Sequence, residues 1–164
     1  PTGLRHGTVT VRTDGGPVEV TTFRCDGAYL DHRRPASVSF TRSLTEDLRR
    51  RDFTVNAMAM DLRGTLRDPF GGQCDLEAKL LRCVGEPDLR LTEDALRILR
   101  GLRFAAVLGF RMEPDTAAAL HRHRKLLRDI AAERIRMELV KLLCGTGAAE
   151  VLREYPDVVG VFWP

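Results

Sequence analysis

Apolar residues follow two rhythms along this chain, and the rhythm changes at Gly85. Before that glycine they alternate or gather in short runs. Residues 8–12 (T-V-T-V-R) and 18–24 (V-E-V-T-T-F-R) alternate and are rich in β-branched side chains, with Asp14-Gly15-Gly16 between them, which predicts a hairpin. Residues 25–41 are rich in Asp, Arg, Pro and Gly and read as a mobile loop. Ser43-Leu44-Thr45-Glu46 is a capping box that opens a short helix through Arg50. The run 55–60 fits a buried helix or a strand, and its period does not choose between them. Residues 66–69 read as a short strand, Phe70-Gly71-Gly72 as a turn, 75–79 as a brief helix and 80–84 as extended chain.

After Gly85-Glu86-Pro87 the period is helical. Helices are expected over 93–108, 114–124, 131–143 and 148–154, punctuated by Gly109, Gly145 and Pro156. The chain thus divides into a mixed part, 1–85, and an all-helical part, 86–164, an α+β organisation in which a mixed sheet with helices precedes a helical region. No internal repeat or low-complexity tract interrupts it.

The stretch 92–104, T-E-D-A-L-R-I-L-R-G-L-R-F, carries the most chemistry. Thr92 is a suitable N-cap, and Glu93 and Asp94 would follow at the positive end of the helix dipole. At about 100° per residue, Ala95, Ile98, Leu99, Leu102, Ala105 and Ala106 share one face. Arg97, Arg100 and Arg103 fall together on another, with Asp94 one turn before Arg97. Arginine presents donors only and an ionised aspartate acceptors only. Side by side they match an edge with an amine next to a ring-nitrogen acceptor, as cytosine and adenine have. Guanine and uracil offer a carbonyl and a ring N–H there, and such mispairing can discriminate by about 10⁴-fold. The competing reading is an ordinary i,i+3 salt bridge on a solvated face.

Composition adds modest constraints. The chain has 164 residues, 43% hydrophobic and 30% charged, with 26 Lys+Arg against 23 Asp+Glu and a formal charge of +3. That suits a globular domain with a real core, and arginine-rich basic character favours a phosphate-bearing partner. Cys25, Cys74, Cys83 and Cys144 are scattered without a C-x-x-C and read as reduced packing residues. No apolar run approaches a membrane-spanning length, and a cytoplasmic protein is expected. The chain opens on Pro1 and closes on V-F-W-P, so both ends read as cut.

R-R-D-F-T-V-N-A-M-A, residues 50–59, sets Arg50, Arg51, Asp52 and Asn56 among apolar neighbours. A buried Arg or Asp must be paired or engaged by ligand. An arginine here could hold a triphosphate; Asp52 could hold a metal, a ribose hydroxyl or that arginine; or the group could be an intrachain ion pair. His121 and His123, with Arg122, Arg124 and Lys125, form a basic patch that could meet RNA phosphate or be a solvated helix face. His6 reads as structural, and Trp163 lies near a chain end.

Several segments taken in order resemble one family. H-G-T-V-T-V at 6–11, V-E-V-T-T-F-R at 18–24, R-R-D-F-T-V-N-A-M-A at 50–59, D-P-F-G-G at 68–72 and E-D-A-L-R-I-L-R-G-L-R-F-A at 93–105 are similar to the bacterial CCA-adding tRNA nucleotidyltransferase and poly(A) polymerase head-domain family, within the polymerase-β-like nucleotidyltransferases. E-R-I-R-M-E-L at 133–139 is similar to that family's neck. The resemblance implies that Arg51 and Asp52 belong to the nucleotide site, Asp52 in a catalytic role with Asn56 nearby. It implies that Asp94 and Arg97 read the incoming base, supported by Glu93, and that Arg100 and Arg103 contact the nucleotide. It implies CTP and ATP as substrates, tRNA as partner and pyrophosphate as product. A poly(A) polymerase, an enzyme adding only CC or only A, and a catalytically silent RNA-binding module on the same fold remain alternatives.

One departure is large. The family's Mg²⁺ is held by a D-x-D pair beside a Gly-rich loop, upstream of the similar segments. Asp14, Asp26 and Asp31 do not match that motif, so the Mg²⁺ ligands are expected outside this chain and the 164 residues alone are expected to be inactive. An open sheet edge with an exposed apolar face is expected as well.

Overall fold

The structure, a computed structural model, describes residues 7–27, 29 and 35–163. His6 and Asp31 lie outside the described residues. Thr8–Thr13 (β1) and Gly16–Thr21 (β2) form the expected hairpin, antiparallel from Thr8 opposite Thr21 to Thr13 opposite Gly16. Gly16 takes φ +112°, a conformation side chains disfavour. Val9 pairs with Val20 and Val11 with Val18, and these valines remain 40–50% exposed, so the hairpin presents an uncovered apolar face.

The expected loop 25–41 is partly strand. Arg24–Asp26 (β3) and Val38–Phe40 (β4) pair antiparallel, because their backbone groups find each other across the intervening chain. Leu44–Arg49 (α1) starts as read: the Ser43 hydroxyl accepts the Glu46 N–H at 3.3 Å. The box is only half built, since the Ser43 N–H goes to Thr41 Oγ1. The ambiguous run 55–60 resolves into both candidates, a 3₁₀ turn at Thr54–Asn56 followed by Ala59–Met60 (β5), which pairs with Leu66–Arg67 (β6). Gly72–Glu77 (α2) begins three residues earlier than read, behind Gly71 in the left-handed region. Among the described residues the strands form separate two-stranded sheets rather than one mixed sheet.

Leu80–Leu81 (β7) pairs in parallel with Arg111–Met112 (β8), a strand within the stretch read as wholly helical. The helices are Pro87–Glu93 (α3), Leu96–Leu108 (α4), Pro114–His123 (α5), Ala132–Leu143 (α6), Ala148–Glu154 (α7) and Pro156–Val159 (α8), with a 3₁₀ segment at Arg124–Asp129. The core is centred on α4: Ile98, Leu99, Leu102 and Ala106 are fully buried with Phe53 and Leu81 from the mixed part and Leu120, Leu127 and Leu142 from the helices. Secondary structure changes at Gly85, but the core runs through without a break. Among the described residues no helix is long and apolar enough to cross a membrane.

The single helix expected from Thr92 is instead two. α3 ends at Glu93, and Asp94 is extended at φ −137°, ψ 101°. The Thr92 hydroxyl donates back to the Asp88 and Leu89 carbonyls at 2.8 and 3.0 Å, from inside α3 rather than from the start of a helix. Asp94 takes over that task, its Oδ1 accepting the Leu96 N–H at 3.2 Å and its carbonyl the Arg97 N–H at 2.9 Å. Glu93 therefore sits at the C-terminal end of α3, not in a first turn.

Candidate functional site

A cleft of about 670 Å³ opens where the α3–α4 break faces β2, β3 and the chain after α1. Six arginines and four aspartates line it, with Asn56, Tyr29 and Phe104. Of the residues singled out from sequence, Arg51, Asp52, Asn56, Asp94, Arg97 and Arg100 converge there. Arg103 does not: its Nε lies 2.7 Å from Glu138 Oε2 on α6, and its guanidinium stacks over Phe104 at 4.0 Å. Glu93 stands behind the cleft rather than on it.

Glu93 sets the arginines. Its Oε2 accepts from Arg90 Nη1 at 2.6 Å and Arg97 Nη1 at 2.7 Å. Arg97 is 8% exposed and also donates to the Arg90 carbonyl at 2.9 Å and the Arg50 carbonyl at 2.8 Å. Three of its five donors are thereby used, which leaves Nε–H and one Nη2 hydrogen without a protein partner among the described residues. The expected Asp94–Arg97 salt bridge does not form. Asp94 has two other contacts, the cap to Leu96 and Arg134 Nη2 at 3.4 Å from Oδ2. Both side chains line the cleft, the one offering acceptors, the other donors.

Asp52 is 6% exposed and turned inward. Its Oδ1 accepts the Phe53 N–H at 2.9 Å and Asn56 Nδ2 at 3.2 Å; its Oδ2 accepts Arg100 Nε at 2.7 Å. Of the roles open to Asp52, the structure realises an ion pair, with Arg100 of α4 rather than a neighbouring arginine. Arg50 is paired with Asp47, at 2.7 Å through Nη2. Burial works against ionised Asp47, but hydrogen bonds from Arg50 and the Arg24 N–H outweigh it and hold the carboxyl below its ordinary range. Arg51 is held loosely, 3.4 Å from Asp47 Oδ2 and 3.3 Å from the Asn56 carbonyl, and its half-exposed fork is the freest cation of the cleft floor.

Sequence reasoning missed Arg24, Asp47 and Arg134 at this site. Arg24 and Arg134 had a signal, in the V-E-V-T-T-F-R and E-R-I-R-M-E-L segments; Asp47 had none. The basic patch on α5 is paired intramolecularly: Arg122 and His123 meet Asp88, His121 and Arg124 meet Asp157, and His121 stacks on Tyr155.

The residues present do not fit a metal. Among the described residues no three His, Cys, Asp or Glu cluster as ligands would. The cleft's buried carboxylates, Asp47 and Asp52, are taken up by Arg50 and Arg100.

Arginine forks and acceptor carboxylates around one hollow are the groups that suit a polyanionic ligand with a hydrogen-bonding edge. The chain belongs to the poly A polymerase head-domain family, whose model matches residues 1–82. A second model, described as a probable RNA and SrmB-binding site of polymerase A, matches residues 109–155. The CCA-adding enzyme of Geobacillus thermodenitrificans (strain NG80-2) is 57% identical over 150 residues, 92% of this chain and 37% of that protein. The crystal structure of the Bacillus stearothermophilus CCA-adding enzyme in complex with CTP matches at TM-score 0.85 and 46% identity over 96% of this chain and 37% of that one. The Thermotoga maritima CCA-adding enzyme complexed with tRNA matches at TM-score 0.74 and 28% identity, covering 96% and 35%. The chain thus spans little more than a third of the length of these relatives.

Proposed function

We propose that this chain selects the incoming nucleotide in a CCA-adding tRNA nucleotidyltransferase, which joins CTP and ATP to tRNA 3′ ends and releases pyrophosphate. The observation that carries the reading is the pair at the helix break: Asp94 and Arg97 both open on the arginine-lined cleft with capacity unused. Asp94 accepts from the exocyclic amine of cytosine or adenine. The remaining Arg97 donors meet the adjacent ring nitrogen. Glu93 fixes Arg97 from behind, Arg51 and Arg100 take phosphate oxygens, and Asp52 with Asn56 holds Arg100 in place. Arg103 acts through Phe104 and α6 rather than at the triphosphate. UTP and GTP present a carbonyl to Asp94, which has no proton to give.

Similarity to enzymes whose structures were determined with CTP and with tRNA supports this reading. In this reading Mg²⁺ would be held by carboxylates outside the 164 residues and would supply charge neutralisation of the triphosphate and activation of the 3′-hydroxyl. The free cysteines agree with a cytoplasmic location. Residues 1–85 act as the later half of a nucleotidyltransferase head and 86–164 as the neck.

A poly(A) polymerase is the second reading. The matching head family is named for that activity, and adenine satisfies Asp94 and Arg97 as well as cytosine does. The test supplies each NTP singly to the protein containing this chain, with a tRNA lacking its CCA end as the acceptor for C and a tRNA lacking only its terminal A as the acceptor for A. C and A should be incorporated and U and G refused. Addition of A alone, to any RNA, would establish the second reading; indifference to the base would overturn both.

A further inference from the structure

Asp94 is gripped from outside its own helix by a single side chain among the described residues, Arg134. This arginine lies in the first turn of α6, within the segment that matches the RNA-binding model. Its Nη2 is 3.4 Å from Asp94 Oδ2, and Asp94 is its one side-chain partner among the described residues. Its Nη1 is buried with no acceptor. A guanidinium held this way adds little to stability, because a desolvated donor without a partner is a cost. Its place on the wall of the cleft points to a task there.

That task follows from how Asp94 is held. Oδ1 is fixed by the Leu96 N–H, which caps α4. Oδ2 is the oxygen left to face a base, and Arg134 alone sets its direction. A carboxylate held at one oxygen swings about its Cβ–Cγ bond; held at both, it presents its lone pairs at a defined angle. Selective recognition needs such orientation to within about 10–20°.

We propose that Arg134 is a positioning residue for nucleotide selection. It holds the Asp94 carboxylate at the angle that accepts an exocyclic amine, so the helix of the RNA-matched segment governs how strictly the incoming base is chosen. The inference rests on the reading of Asp94 as the base acceptor, and its test separates the two. Incorporation of CTP and of UTP is compared for the protein containing this chain and for Arg134→Ala, Arg134→Lys, Asp94→Ala and the Ala/Ala double variant. The expected result is a roughly tenfold fall in the CTP:UTP ratio of kcat/KM in Arg134→Ala, within the range for contacting residues. KM for tRNA should stay unchanged, and Arg134→Lys should restore most of the ratio by returning a charge to Asp94. The double variant should match Asp94→Ala, since Arg134 has nothing left to position.

A wild-type ratio in Arg134→Ala would overturn the inference, as would a double variant worse than Asp94→Ala by the whole Arg134→Ala factor. An unchanged ratio in Asp94→Ala would refute the underlying reading instead. Should Arg134→Ala fail to fold, as seen by circular dichroism, Arg134→Gln carries the comparison: it keeps the length of the side chain and loses the charge.

Discussion

Replacing Asp52 by Ala perturbs the fold and the cleft at once. The carboxylate is 6% exposed and receives three donors: Phe53 N–H at 2.9 Å, Asn56 Nδ2 at 3.2 Å and Arg100 Nε at 2.7 Å. Removing one member of a fully buried pair costs about 3–5 kcal/mol. The Arg100 side chain, however, is 34% exposed, so water can take up much of its charge. The orphaned Phe53 N–H is fully sequestered and keeps its desolvation cost, about 1–3 kcal/mol. A net loss of about 2 kcal/mol follows, or roughly 4–8 °C in Tm for a domain of this size. Asp52→Asn separates the parts, because its carbonyl can still accept the Phe53 N–H while its amide faces the Arg100 donors. It should recover much of the stability without recovering triphosphate affinity. Urea denaturation gives the first quantity and CTP titration the second. If Asp52→Ala changes stability by less than about 0.5 kcal/mol and leaves CTP affinity intact, the role given to this carboxylate is wrong.

Other outcomes follow from single features. In Gly145→Ala the new Cβ would stand 2.7 Å from the Ala106 carbonyl carbon and oxygen, backbone of α4 that cannot yield, so a loss of about 1–3 kcal/mol is expected in thermal unfolding. Burial, against a weaker opposing hydrogen bond to Thr116, pushes the Cys83 thiol up to about 12. At pH 8 a thiol reagent should therefore label exposed Cys74 and Cys144 at once and Cys83 only on unfolding, as mass spectrometry would show. Asp47 is depressed in the folded state, so its contribution is present above the ordinary carboxylate pKa and lost as pH falls through the lower folded value. Tm should fall as pH drops below the ordinary carboxylate range, and Asp47→Asn should flatten that fall.

Much of the fold was legible because its determinants are local. The valine alternation around Asp14-Gly15-Gly16 specified the hairpin, and the 3.6-residue period of Ala95, Ile98, Leu99, Leu102, Ala105 and Ala106 specified the buried face of α4. The break at Asp94 was not legible, since T-E-D-A-L-R contains neither Gly nor Pro and caps acceptably at either Thr92 or Asp94. The signal passed over was Pro87, which starts α3 and makes a separate helix complete before residue 94. Six of the residues singled out, Arg51, Asp52, Asn56, Asp94, Arg97 and Arg100, line one cleft, but their pairings were not legible. Helical spacing put Asp94 beside Arg97, whereas Arg97 is held by Glu93 and by the carbonyl of Arg50, 47 residues away. Arg103 left its row for Glu138 on α6 for the same reason. Contacts between distant segments decide such matters, and periodicity does not encode them.

The measurement nearest the centre of the account is an equilibrium titration of the protein with CTP, ATP, UTP and GTP, repeated with Asp94→Ala. CTP and ATP should bind more tightly than UTP and GTP, and the variant should bind all four with similar affinity. Equal affinity of the unmodified protein for the four nucleotides, or a preference that survives the loss of Asp94, would contradict it.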